Sequence, residues 1–159
     1  MSVVFSGEEI IRIAVKTEEA GYEFYKMALQ NASTDELKNL FDYLAKEELK
    51  HKETYEGLTD AIGETAQGVP VDWDELGLYI KAMTDSSFFL GGDKSINLAA
   101  KASDDKKAVD FAIQFEKDTL LFFHQLKEVV KPANQPVIER IIQEEKEHIK
   151  RLANIKTSL

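Results

Sequence analysis

Two Glu-x-x-His segments, Glu48-Leu49-Lys50-His51 and Glu145-Lys146-Glu147-His148, stand far apart in this chain, each inside strongly helical sequence. On an α-helix, residues three apart differ by about 60° in direction and by about one turn in height, so one Glu and one His can reach a single ion together. Each segment follows an earlier glutamate set where an apolar stripe would otherwise continue: Glu18 precedes Glu48 by 30 residues, and Glu116 precedes Glu145 by 29. Charged groups at core-facing positions must be protonated, paired or metal-bound. Four helices, four Glu and two His are the parts of a two-metal site inside a bundle.

The local signals give the order of elements. Ser6-Gly7-Glu8-Glu9 reads as a capping box that opens a helix to about Asn31, with Ile10, Ala14, Glu18, Gly21 and Tyr25 near one face. Ser33-Thr34-Asp35-Glu36 reads as a second box, opening a helix through Leu37, Phe41, Leu44, Glu48, His51 and Tyr55 to about Ile62. The short connection predicts an antiparallel hairpin over residues 6–62. Residues 63–103 are punctuated by Gly63, Gly68, Pro70, Gly91 and Gly92 and carry a cluster of Trp73, Leu76, Tyr79, Ile80, Phe88 and Phe89. A helix of about 25 residues is about 38 Å long, so returning to its starting end needs a crossover of this size. Its aromatics are expected to pack on the bundle, with short helices over residues 73–83 and 95–102. A second hairpin is expected over residues 104–157. Ser103, Asp104 and Asp105 open its first helix, which runs through Ala112, Glu116 and Phe123 and stops before Pro132. Asn134 and Pro136 open its second, carrying Ile138, Ile141, Ile142, Glu145, His148 and Leu152.

The halves repeat. Ile13-Ala14-Val15-Lys16-Thr17-Glu18 aligns with Phe111-Ala112-Ile113-Gln114-Phe115-Glu116 at an offset of 98, and the Glu-x-x-His segments align at 97. Two hairpins related by a pseudo-two-fold axis, each donating half of one site, account for both offsets. At 159 residues the chain has the size of one domain, residues 1–159. The net charge of −9 argues against nucleic acid as a partner; two bound divalent ions would add four positive charges and leave −5. The chain has no cysteine, which excludes disulfides, thiolate-bound zinc, iron–sulfur clusters and cysteine nucleophiles. MSVVFSGEEI lacks a basic region followed by a long apolar stretch, and no run approaches membrane-spanning length, so a cytoplasmic protein without a membrane partner is expected.

Two divalent ions balance four glutamates. In the expected arrangement Glu18 and Glu116 each bind one ion, Glu48 and Glu145 bridge both, and His51 and His148 supply one nitrogen apiece. Mixed oxygen and nitrogen donors with open positions suit iron or manganese and also accept zinc. Two adjacent redox-active metals can deliver two electrons together to O2 or peroxide. Tyr25 lies seven residues after Glu18 and about 20° from its direction. It is either a core aromatic or a partner to a ligand carboxylate; Phe123, at the equivalent place after Glu116, can only pack. Glu47 and Glu144, four residues before the two histidines, either orient the distal ring nitrogens or are solvated. His124 has no counterpart in the other half and is expected at the surface or an interface.

The pattern of Glu18, Glu48-x-x-His51, Glu116 and Glu145-x-x-His148, with its long middle crossover, resembles the rubrerythrin branch of the ferritin-like di-iron carboxylate proteins. Glu47-Glu48-Leu49-Lys50-His51-Lys52-Glu53 and Gln143-Glu144-Glu145-Lys146-Glu147-His148 carry the resemblance most strongly. It implies an all-α, ferritin-like four-helix bundle with a long crossover between the second and third helices. It further implies two iron ions, a homodimer, and an oxidoreductase that reduces hydrogen peroxide or O2. Relatives that oxidise ferrous iron make iron oxidation or storage the alternative, beside a catalytically idle metal-bound bundle. Three departures stand out. The four-cysteine iron domain of typical rubrerythrins cannot form here, so electrons must come from an external donor protein. Thr119 occupies the place of an extra glutamate three residues after the third-helix ligand, and Gly21-Tyr22 replaces a small residue followed by Arg.

Overall fold

In the computed structural model the described residues are 6–58, 60–63, 65–66, 69–70, 72–86, 97, 99–100, 102 and 104–159. The Ser6 capping box forms as expected, with the Ser6 hydroxyl accepting from the Glu9 amide and the Glu9 carboxylate accepting from the Ser6 amide. It starts helix α1, Gly7–Asn31. Helix α2, Asp35–Glu56, departs from expectation at both ends. Its cap is Thr34, whose hydroxyl accepts from the Leu37 amide at 3.2 Å. Leucine at that position cannot reciprocate, so no box closes there. The Ser33 amide instead donates to Asp105 Oδ1 at 3.1 Å, tying the α1–α2 turn to the start of the second hairpin.

The other end of α2 stops at Gly57 rather than near Ile62, because residues 61–63 leave the helix to pair with residues 129–131. The Gly63 amide donates to the Val129 carbonyl at 2.8 Å and the Lys131 amide to the Ala61 carbonyl at 2.6 Å, bracketing an Ile62–Val130 bridge. Gly7 is fitted to this pairing, since a β-carbon there would lie 2.7 Å from Ile62 Cβ. Helix α4, Asp105–Val129, begins with Asp104 as its cap, accepting from the Lys107 amide. A 3-10 turn, Pro132–Asn134, leads into α5, Gln135–Lys156, with Pro136 in the first turn where its missing N–H costs nothing. The two tie points make α2 and α4 run the same way, with α1 and α5 antiparallel to both. This is the ferritin-like four-helix bundle, with a long crossover between the second and third bundle helices.

Part of the crossover lies among the described residues. Strands β1, Thr65–Ala66, and β2, Val69–Pro70, form a short antiparallel hairpin that the sequence pattern does not announce. Helix α3, Trp73–Ser86, matches the expected short helix and runs three residues further. It docks through Leu76 and Ile80, one turn apart and both buried, whereas Tyr79 is 42% exposed. Among the described residues this contact is therefore aliphatic rather than aromatic; Phe88, Phe89 and the Trp73 side chain lie outside them. Half of the short helix expected at 95–102 also lies outside; Asn97, Ala99 and Ala100 are helical, and Ala99 is buried. No helix among the described residues is long and apolar enough to cross a membrane.

Among the described residues the core has two apolar clusters. One gathers Phe24, Tyr25, Phe41, Leu44, Ala112, Phe115 and Leu152 around the end where α1 meets α2. The other gathers Ile10, Ala14, Tyr55, Ile80, Phe123, Ile138, Ile141 and Ile142 around the end that α3 covers. Each fully buried large apolar side chain contributes about 1.5–3 kcal/mol. The stability so gained offsets the cost of what lies between the two clusters.

Candidate metal centre

Glu18 from α1, Glu48 and His51 from α2, Glu116 from α4, and Glu145 and His148 from α5 converge at mid-bundle, none more than 3% exposed. Their donor atoms form two overlapping sets, Glu18, Glu48, His51 and Glu145 on one side and Glu48, Glu116, Glu145 and His148 on the other. Within each set all donor atoms lie within 4.8 Å of one another. Glu48 and Glu145 belong to both sets. The structure thus brings together all six residues selected from the sequence, in the expected division between two shared and four unshared donors.

Glu145 sits between the imidazoles, Oε1 at 2.9 Å from His51 Nδ1 and Oε2 at 2.8 Å from His148 Nδ1. Glu18 Oε2 is 3.8 Å from His51 Nδ1, while Glu48 Oε1 and Glu116 Oε1 are 3.6 and 3.7 Å from His148 Nδ1. The two rings stack at 5.8 Å. Despite the short distances, among the described residues neither histidine Nδ1 and no oxygen of Glu18, Glu48 or Glu145 has a partner in hydrogen-bond geometry. The short Glu145 contacts satisfy the distance criterion for an ion pair but lack the direction of a hydrogen bond, and it is the direction that decides whether a buried polar atom is satisfied.

Electrostatics follows from burial. Desolvation, reinforced by Glu145, raises Glu18 and pushes Glu116 up to about 8; desolvation with Glu145, Glu18 and Glu116 lifts Glu48 well above the carboxylate range. Burial alone would lower the histidines, but Glu145 and Glu18 push His51 up to about 12, and Glu116 and Glu145 push His148 up to about 10. Glu145 is pulled down against its own desolvation by His148 and His51. Without metal, then, the centre is one carboxylate between two imidazolium rings, with neighbouring carboxyls held toward their neutral form. Unsatisfied buried oxygens and nitrogens in two shared sets fit a pair of divalent ions, which would replace the protons.

Surrounding side chains are partly as expected. The Tyr25 hydroxyl, wholly buried, donates to Glu116 Oε1, so its partner is the ligand of the other half rather than Glu18 on its own helix. Glu144 Oε2 lies 2.8 Å from His51 Nε2, fixing the histidine of the opposite hairpin instead of His148 four residues along. Glu47 instead pairs with Lys50 at 2.5 Å, and His148 Nε2 has no hydrogen-bond partner among the described residues. Glu47 and Glu144 hold the same place on their helices, each immediately before an inward glutamate and turned about 100° from it, so the packing of α5 against α2 rather than position along one helix sets the difference. His124 is exposed, as expected. Three further side chains bear on the site, and of them the sequence singles out only Thr119, at the place of an extra glutamate. Tyr43 presents an edge to the His148 ring at 6.0 Å. Tyr55 and Thr119 are buried with hydroxyls that have no hydrogen-bond partner among the described residues. A repeat of spacing could have found Tyr55, which follows Glu48 by the same seven residues that separate Tyr25 from Glu18.

Gly21 is where α1 admits the Glu48 carboxylate. A β-carbon there would lie 2.5 Å from Glu48 Oε2 and 2.6 Å from Phe115 Cε1. Alanine ordinarily favours a helix over glycine by about 0.5–1 kcal/mol. Gly21→Ala is expected to reverse that sign and destabilise by about 1–3 kcal/mol through overpacking. Thermal unfolding of the metal-free variant reads the effect; a Tm equal to or above that of the unsubstituted protein would show that the carboxylate and ring have room to move.

A ferritin-like bundle with paired carboxylate–histidine sets at its centre defines the class, and comparison with known proteins places the chain within it. The family model described as Rubrerythrin matches residues 6–59, the stretch that holds α1, α2 and the first Glu-x-x-His segment. A solved structure from Thermotoga maritima, of a protein provisionally assigned as a ferritin-like diiron-carboxylate protein, is 26% identical, with a TM-score of 0.68 over 99% of this chain and 95% of that one. No curated protein matches the chain. This chain belongs to the ferritin-like superfamily, and its first hairpin is similar to the Rubrerythrin family.

Proposed function

We propose that the chain binds two iron ions and acts as an oxidoreductase, passing electrons from an external donor to hydrogen peroxide or O2. The observation that carries this reading is the pair of donor sets sharing Glu48 and Glu145. Two unshared sets would hold independent ions; shared carboxylates couple two ions in one buried site. When bound, the iron pair supplies two one-electron steps and a Lewis-acidic surface for a small oxidant. The diiron-carboxylate assignment of the Thermotoga maritima relative and the Rubrerythrin match support iron over manganese or zinc.

This chain's own residues would keep bound ions apart from water, since none of the six donors is more than 3% exposed. Tyr25 holds Glu116 Oε1 through its phenolic proton and so fixes that carboxylate's orientation. Glu144 does the same for the His51 ring through Nε2. Such outer partners typically change metal affinity or activity by about 10–100-fold.

Protein loaded anaerobically with two ferrous ions per chain and mixed in parallel with hydrogen peroxide and with O2 tests the reading. The expected result is oxidation of bound iron by one oxidant at least about tenfold faster than free ferrous iron in the same buffer. The faster oxidant identifies the reaction. Equal rates for bound and free iron with both oxidants would contradict an oxidoreductase role.

A further inference from the structure

We infer that the metal centre has a ligand-receiving pole on the side facing α3, where the Tyr55 hydroxyl, assisted by Thr119, donates a hydrogen bond to a small exogenous ligand. This inference rests on the metal reading above. It starts from two buried hydroxyls at one end of the site. Tyr55 is 0% exposed and Thr119 is 1% exposed, and neither oxygen has a hydrogen-bond partner among the described residues. A buried hydroxyl left unpaired costs about 1–3 kcal/mol. Threonines on the bundle helices normally avoid that cost by bonding back one turn, as Thr17 does to the Ile13 carbonyl and Thr54 to the Lys50 carbonyl. Thr119 does not.

The repeat shows that neither hydroxyl is needed for packing. Leu152 holds the place of Tyr55 in the other half, seven residues after Glu145, and is fully buried without a polar atom. Gly21 holds the place of Thr119, three residues after Glu18. The chain therefore carries two polar groups at one pole where its own duplicate carries none.

Position completes the argument. Tyr55 lies one turn beyond His51 on α2, and Thr119 one turn beyond Glu116 on α4; the two helices run in the same direction. The Tyr55 ring packs against Phe123, one turn beyond Thr119, at 4.9 Å. Both residues thus belong to the layer just past the ligands, on the side away from Tyr25. The carboxylates of Glu18, Glu145 and Glu48 all raise the Tyr55 phenol, behind desolvation as the main cause, which places the phenol within their field. At the opposite pole the Tyr25 hydroxyl is already committed to Glu116. At the α1 wall Gly21 is filled by Glu48 and Phe115, leaving no space for even a methyl group. Among the described residues, the Tyr55 pole brings two hydroxyls without hydrogen-bond partners to the layer beside the centre.

The probe is azide, a linear anion of the size class of O2 and peroxide, titrated into the diferric protein and followed by near-ultraviolet absorption. Tyr55→Phe removes only the oxygen. It is expected to keep two ions per chain, to weaken azide about tenfold, and to abolish the H2O/D2O difference in the bound azide stretching frequency, which a purely structural role would leave in place. In metal-free protein the same substitution is expected to raise Tm by a few degrees, because it removes an unpaired hydroxyl. Unchanged azide affinity with an unchanged isotope difference would overturn the inference while leaving the metal site standing. Failure of the unsubstituted protein to take up two ions would overturn the metal reading and this inference with it. If Tyr55→Phe itself lost metal, Thr119→Val carries the comparison: weaker azide binding upholds the pole, and unchanged binding overturns it.

Discussion

Replacing Glu145 by alanine is expected to weaken the binding of both ions by more than about 100-fold, since even an outer partner of a ligand typically changes affinity by about 10–100-fold. Glu48→Ala is expected to do the same, because both carboxylates belong to both donor sets, whereas Glu18→Ala should spare the ion held by Glu116 and His148. The two shared glutamates part company once metal is removed. Glu145 is the anion between two protonated histidines, with one oxygen within 3 Å of each ring. Removing it leaves buried cations unpaired and should cost about 3–5 kcal/mol of folding stability. Glu48 is held toward its neutral form by burial and by Glu145, so Glu48→Ala removes no counter-charge and should cost less. Metal titration by competition with a chelator and denaturant unfolding in EDTA read the two effects separately. Equal metal-free stability of the two variants would show that the charge distribution is wrong.

Metal-free protein is expected to lose stability steadily as pH rises from about 6 to 9, and metal-loaded protein is not. Glu116 is raised in the fold to about 8 by burial and Glu145, so between its unfolded value and 8 the folded state holds a proton that the unfolded state has lost. His51 and His148, raised to about 12 and about 10 by neighbouring carboxylates that outweigh their burial, contribute stability that is full below an unfolded value of about 6.5. That contribution is lost as pH rises toward the folded values. Glu145, lowered by the two histidines, contributes above the unfolded carboxylate range and stays constant across this window. All the changing contributions have one sign: the folded state binds more protons, so stability falls with pH. The total from pH 6 to 9 should be several kcal/mol, at about 1.4 kcal/mol per proton per pH unit. Bound ions displace these protons, so loading at pH 9 should raise Tm most. Thermal scans in EDTA and with two equivalents of metal across this range provide the check; a metal-free Tm that rose with pH would contradict the assignment.

The six donors were legible because the pattern is redundant. Each glutamate interrupts an apolar stripe, and the interruptions recur at offsets of 98 and 97, so register, helix pairing and ligand set constrain one another. Helix starts were legible where a side chain must accept an orphan amide, as at Ser6 and Asp104. What escaped were interactions set by tertiary approach. The sequence of Gly57 to Gly63 continues a helical pattern, and only pairing with residues 129–131 ends α2 early. Glu144 faces His51 because of how α5 is rotated against α2, which spacing along one helix cannot reveal. Tyr55 looks like any core aromatic until its hydroxyl is seen to lack a partner. Tyr79 was grouped with residues expected to pack, yet the buried stripe of α3 is carried by Leu76 and Ile80, and its neighbour in sequence, Tyr79, turns outward.

The central claim, one coupled two-metal site built from two hairpins, is tested most directly by counting metal. Protein reconstituted anaerobically with excess ferrous iron, freed of unbound iron and analysed for iron against protein sulfur, is predicted to hold two ions per chain, and the Glu145→Ala variant less than about half an ion. Fewer than one ion per chain in the unsubstituted protein, or two ions retained by Glu145→Ala, would contradict it.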